Sequence, residues 1–121
     1  MNRWQALQDF WGSFGIPAYV ESKVPTGAKK PYITYEASVG RFERLLPVSA
    51  SIWDKTDKGS EFVDTKADEI EAYIETMGCP EIDGGRYRVY ISDTQFAQTG
   101  SDPDDKEIKR VILNVTFEFM I

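Results

Sequence analysis

The chain has no histidine and only one cysteine, Cys79, among its 121 residues. Without histidine the commonest general base and metal ligand is missing, and no Ser–His or Cys–His pair can activate a nucleophile. A single cysteine allows no internal disulfide, which fits a reducing compartment, and one thiol without histidine is a poor ligand set for zinc. Cys79 follows a helical segment and reads as a small packing residue, with a reactive thiol as the alternative. No GxxxxGK[ST] or GxGxxG loop is present to cradle a phosphate. No apolar run approaches the roughly 20 residues of a membrane span, and the N-terminal segment is polar and amphipathic, unlike a secretory leader. Clustered cations are also missing. The 14 Lys and Arg are scattered among 20 Asp and Glu, for a net charge of −6. Tight binding to a phosphate backbone draws on grouped cations that release counterions, so this composition argues against a nucleic-acid binder.

The length suits a single domain, residues 1–121, large enough to bury a core. A hydrophobic fraction of 41% separates it from disordered chains. The clearest pattern lies at 107–121, where Val111, Leu113, Val115, Phe117, Phe119 and Ile121 alternate with mostly polar positions. Residues two apart share one face of a strand, so this is a long half-buried strand. A second strand at 86–91 and an acidic Gly- and Pro-containing loop at 99–106 precede it, predicting a C-terminal hairpin with a long connection over 93–106. Residues 2–14 show helical spacing of Trp4, Leu7, Trp11 and Phe14, with Asn2 as N-cap and Gly15 and Pro17 as terminators. That face packs into the core or, since aromatic residues anchor interface cores, Trp4 and Trp11 meet a neighbouring subunit.

Residues 18–21 read as a short strand, 22–31 as an exposed loop, 32–39 as an alternating strand and 42–53 as another, with Pro47 marking an edge or a bulge. Ser60 is placed to cap a helix over 61–77, whose stripe is Val63, Ala67, Ile70, Ile74 and Met77 and whose end is set by Gly78 and Pro80. The order predicts an α+β fold: a mostly antiparallel sheet with two helices on one face and a long C-terminal hairpin.

Carboxylates are the only groups left that could carry chemistry. Asp102, Asp104 and Asp105 share one loop, and Asp54 and Asp57 another. Such oxygens can hold calcium or magnesium, but EF-hand spacing is absent, and a solvated turn is the plainer reading. Glu61, Asp64, Asp68, Glu71 and Glu75 recur every three or four residues along the second helix and form an acidic stripe. It is either a solvated face or a surface that repels polyanions or meets a basic partner.

Taken together, the N-terminal helix, the strand start Pro31–Tyr32–Ile33–Thr34–Tyr35–Glu36, the Ala50–Ser51–Ile52–Trp53 strand before helix 61–77, the 86–91 strand, the polar loop and the final 110–119 strand resemble the tail terminator (tail-completion, or minor tail) proteins of long-tailed phages and prophages. The resemblance spans nearly the whole chain and rests on loose patterns. It implies a small subunit of a ring, usually a hexamer, that caps the head-proximal end of the tail tube, stops its growth and faces the head connector. DNA would pass through the lumen without specific binding. The tail tube protein and the head-connector protein would be partners, in the virion and, during assembly, the host cytoplasm. The family has no catalytic residues to carry over, and no cofactor or metal is expected. The acidic stripe and Asp102, Asp104 and Asp105 are then candidates for lumen or interface. Two alternatives stay open: another head–tail joining or neck protein, and an acidic inhibitor or immunity-type module that binds a basic target.

Overall fold

The computed structural model describes residues 3–37, 45–82, 84–91, 97–101 and 105–120. In chain order the elements are helix α1 (Arg3–Trp11), β1 (Ala18–Val20), a 3-10 turn (Glu21–Lys23), β2 (Tyr32–Ala37), β3 (Leu45–Lys55), helix α2 (Glu61–Thr76), β4 (Glu81–Ile82), β5 (Gly85–Ile91), β6 (Ala97–Ser101) and β7 (Ile108–Met120). The fold is α+β, with both helices on one face of a mostly antiparallel sheet.

The sheet is built around β7. Along β7, Val111, Leu113, Val115, Phe117 and Phe119 are all buried, while the residues between them are half-buried. This is the period of two that the sequence displays. One side of β7 pairs with the whole of β3. The other side pairs first with β6 and then with β5, in register Ala97↔Leu113 and Ile91↔Val115. Beyond β3 lie β2 and then β1, which runs parallel to β2. The order among the described residues is β1-β2-β3-β7-β5-β4, with β6 pairing β7.

Several expectations change in detail. The long loop over 93–106 contains β6, so the segment returns to the sheet before turning into β7; main-chain groups beside a bare edge of β7 find their partners there. Pro47 lies inside β3, which is flanked by β2 and β7. It sits one residue past Val48, the last residue with a β2 partner. On that side the missing N–H of Pro47 deprives no described ladder. Helix α1 ends at Trp11, before residue 14. Ser13 donates from its Oγ to Phe10 O at 2.7 Å, occupying a carbonyl that another helical turn would have used. Asn2, expected as the cap, lies outside the described residues.

The helices bury the stripes that their spacing predicts: Ala6, Leu7, Phe10 and Trp11 from α1, and Val63, Ala67, Ile70 and Ile74 from α2. An aromatic cluster joins the layers. Phe10 meets Phe117 edge-on at 5.2 Å and Tyr73 of α2 at 6.0 Å. Trp11 lies parallel to Tyr35 at 6.5 Å. Gln8 supplies the polar tie, donating from Nε2 to Ala18 O and accepting from the Tyr35 hydroxyl. Gly78 follows α2 with φ +69°, the left-handed conformation that ends many helices and that glycine adopts without a Cβ penalty.

Ser60 precedes α2 but makes no side-chain cap; its Oγ donates to Asp64 Oδ2 at 2.9 Å. A capping serine is ordinarily worth about 1 kcal/mol. Ser60→Ala is therefore expected to cost less than about 0.5 kcal/mol in urea unfolding, the range of an exposed polar contact. A loss of a full capping contribution would contradict this geometry.

Candidate interaction surface

Because side chains alternate across a strand, the residues between the core positions form a second face of the sheet. Neither α1 nor α2 lies on it. Cross-strand rows define the surface: Tyr32–Trp53–Arg110, Thr34–Ser51–Ile112, Glu36–Ser49–Asn114, and, farther along, Pro47–Thr116–Tyr90 and Leu45–Glu118–Arg88.

Its centre is ordered by an arginine on a tryptophan. The Arg110 guanidinium stacks 4.4 Å from the Trp53 ring centroid, and its Nε donates to Ser51 Oγ at 3.1 Å. Trp53 Nε1 donates to Thr34 Oγ1 at 2.9 Å. Thr34 and Ser51 are buried beneath these two large side chains although they point away from the core. A preordered, half-buried Trp–Arg pair has the composition of an interface anchor, since planar groups held in place lose little entropy on binding. At the far end, Leu45 is 49% exposed. Tyr90 donates to Glu118 Oε1 at 2.8 Å beneath the Arg88 guanidinium, 4.9 Å from its ring.

At the β1–β2 end, Glu21 and Glu36 share a hydrogen bond between their side chains. That bond, partial burial and the Glu36 charge push the Glu21 carboxyl above its ordinary value of 4.5, while Arg110 pulls the other way. A raised folded-state value means that protonation of Glu21 stabilises the fold at low pH, and that this contribution fades as pH climbs through the raised value. Glu21→Gln should therefore raise stability at neutral pH by a few tenths of a kcal/mol, a small effect because the pair is largely solvated. It should also flatten the loss between acidic and neutral pH. Thermal melts at both pH values check this; an unchanged slope would contradict the pairing.

The candidates read from the sequence fall on other parts of the molecule. Glu61, Asp64, Asp68 and Glu75 are exposed and Glu71 half-buried along the solvent side of α2, away from the open sheet face. Asp102 and Asp104 lie outside the described residues. Asp105 is a structural turn residue: it accepts from Glu107 N at 2.9 Å and pairs with Lys55 at 3.4 Å. Its carboxyl is held below the ordinary range, chiefly by the Glu107 amide. Among the described residues no group of three acidic or cysteine side chains is placed to hold a metal ion. Trp11 corrects the expectation of a subunit contact: it is 0% exposed, enclosed by Tyr35, Phe14 and Phe117 of its own protomer. Trp4 is 61% exposed and remains available.

Sequence reasoning missed Trp53, Arg110, Arg88 and Tyr90. The signal was alternation, which assigns them to the face opposite the apolar residues. Their meeting depends on register between strands far apart in sequence. Among the described residues no helix is long and apolar enough to cross a membrane. In comparisons with known proteins, no family model and no curated sequence matches the chain.

Proposed function

We propose that this chain is a structural subunit of the tail-terminator type, assembling into a ring, hexameric by the family resemblance, at the head-proximal end of a phage tail tube. The observation that carries the reading is the open sheet face, where a preordered Trp53–Arg110 pair and the exposed Leu45 and Tyr90 offer anchors no described helix covers. A two-layer subunit with one bare sheet face is suited to burying that face against another protein. Its role is assembly without catalysis. The ring would end tube growth and present a surface to the head connector. The acidic face of α2 suits a wall past which DNA moves without adhering. Its place is the virion, with assembly in the host cytoplasm. A related neck or head–tail joining protein would use the same surfaces and differ in whether it binds tube or connector.

The test is native mass spectrometry across a concentration series, with and without isolated tail tubes, alongside electron microscopy of tube ends. A closed ring, alone or on the tube, is the expected result. A chain that stays monomeric throughout and leaves tube ends bare would overturn the reading. The acidic stripe favours one second reading, an inhibitor of a basic target. That complex would weaken steeply with added salt.

A further inference from the structure

We propose that Arg110 is the receptor on the open sheet face for a carboxylate of the tail tube protein: its two terminal nitrogens, Nη1 and Nη2, take one Asp or Glu side chain of that partner end-on, through two parallel hydrogen bonds. The proposal rests on the ring reading above and names the chemistry that has to land on this face.

A guanidinium carries one N–H on Nε and two on each terminal nitrogen. Among the described residues Arg110 spends only the first, on Ser51 Oγ at 3.1 Å. The ion pairs between described residues, Lys55–Asp105, Lys66–Glu69 and Arg86–Glu81, do not include it. Glu21 and Glu36 stand toward the same end of the face, but their side chains bond to each other, and the Arg110 charge is the smallest of the influences on Glu21. The guanidinium is fixed all the same. It lies on Trp53, 4.4 Å from the ring centroid, and Trp53 is itself tied through Nε1 to the buried Thr34. With one face on a ring and Nε taken, the edge left for a ligand is the terminal one.

The neighbouring strands frame this position without covering it. Opposite Arg110 on β6 stands Gly100, which has no side chain to lean across. On the other flank, beyond Trp53, lies Tyr32, with Tyr19 edge-on at 5.7 Å and the Lys30 ammonium 5.3 Å from its ring. A rigid arginine beside a bank of aromatic side chains is the setting in which interface hot spots form, because the rings keep water from the central contact.

Covering the face decides which ligand fits. When a partner expels water, the terminal N–H groups lose their solvent acceptors, and a cation buried without a partner is strongly disfavoured. An apolar or basic patch therefore does not fit here. A carboxylate does: its two oxygens match the spacing of Nη1 and Nη2. A nucleic-acid backbone offers similar oxygens in a run of like charges, which Glu21, Glu36 and a net charge of −6 repel. The chain's own exposed row of acids, along α2, is the channel wall in the ring reading, which leaves the tube protein to supply the acid. Arg88, on the same face, differs from Arg110. It lies over Tyr90, whose hydroxyl donates to Glu118, and Glu118 is its own partner across the β5–β7 ladder.

Receptor and partner are tested separately. Heteronuclear NMR of the folded chain follows the terminal N–H signals of Arg110 as sodium acetate is added, against sodium chloride at equal ionic strength. Acetate alone should shift them, and Glu21→Gln with Glu36→Gln should leave that shift in place. No shift, or a shift seen only when both glutamates are replaced, would overturn the receptor, since the chain's own acids would then hold Arg110. For the partner, isolated tail tubes are used native and with their carboxylates amidated by carbodiimide and glycinamide. Wild type should bind native tubes about tenfold or more tightly than amidated ones. Arg110→Gln and Arg110→Lys, their folds verified by circular dichroism, should bind both weakly and alike, while Arg88→Gln should still distinguish them. An Arg110→Gln variant that binds native tubes as wild type does, or still senses amidation, would overturn the contact and leave the ring reading standing. Lost self-assembly in Arg110→Gln with no effect of amidation would assign the acid to a second copy and overturn the tube contact. A wild-type chain that forms no ring and binds neither kind of tube would overturn the ring reading and the tube contact together, even with the acetate shift present.

Discussion

Val115→Asp is expected to abolish stable folding. Val115 is 3% exposed and sits on the helix-covered face of β7 between Val48 and Ile91. No described cation faces that position, so the carboxylate would be buried without a partner or forced to take up a proton, at a cost of several kcal/mol. Domains of this size have about 5–15 kcal/mol in total. The variant should be largely unfolded or insoluble at room temperature by circular dichroism and gel filtration. The adjacent substitution provides the control. Thr116 lies on the open face, half-buried between Pro47 and Tyr90. Thr116→Asp should cost about 1 kcal/mol or less, as surface changes do. Equal effects at the two positions would mean that the two faces of β7 have been exchanged.

Phe117→Ala should be the most damaging truncation in the core, costing about 3–5 kcal/mol. Phe117 is 0% exposed and touches rings from three directions: Phe10 at 5.2 Å, edge-on; Tyr87 at 5.8 Å, stacked; and Trp11 at 6.5 Å. Removing it opens a void where α1, β5 and β7 meet, and forfeits ring contacts worth about 0.5–1.5 kcal/mol each beyond area burial. The surrounding rings are stiff and cannot collapse into the space. Phe117→Leu keeps most of the volume and should lose about 1.5 kcal/mol or less. Urea unfolding of the three proteins measures the series. An alanine variant within about 1 kcal/mol of wild type would show that the aromatic cluster is not the joint between helix layer and sheet.

These predictions separate what is local in this protein from what is not. The positions of Val115 and Phe117 on one face of β7 follow from alternation alone, and the buried stripe of α2 from a spacing of three and four. Both are properties of backbone geometry over a few residues, so they are legible in the chain. The boundaries at Trp11 and within 93–106 were less so. A side-chain bond from Ser13 stops the first helix, and the second segment becomes β6 only because an edge of β7 stands ready to pair with it. The candidate site was mostly hidden. The acidic stripe could be read along one helix. The Trp53–Arg110 stack could not, since the two residues lie more than fifty positions apart and meet only through the β3–β7 register.

The amino-acid sequence by itself determined the two helices and the longer strands, the apolar faces of β7 and α2, and the absence of histidine, because each depends on residue identity or short-range period. Tertiary structure alone decided that Trp11 is core while Trp4 is surface, that β5 and β6 share one side of β7, and that no described helix covers the second face of the sheet. Those outcomes depend on which distant segments bury one another, and packing across the whole sheet resolves that choice.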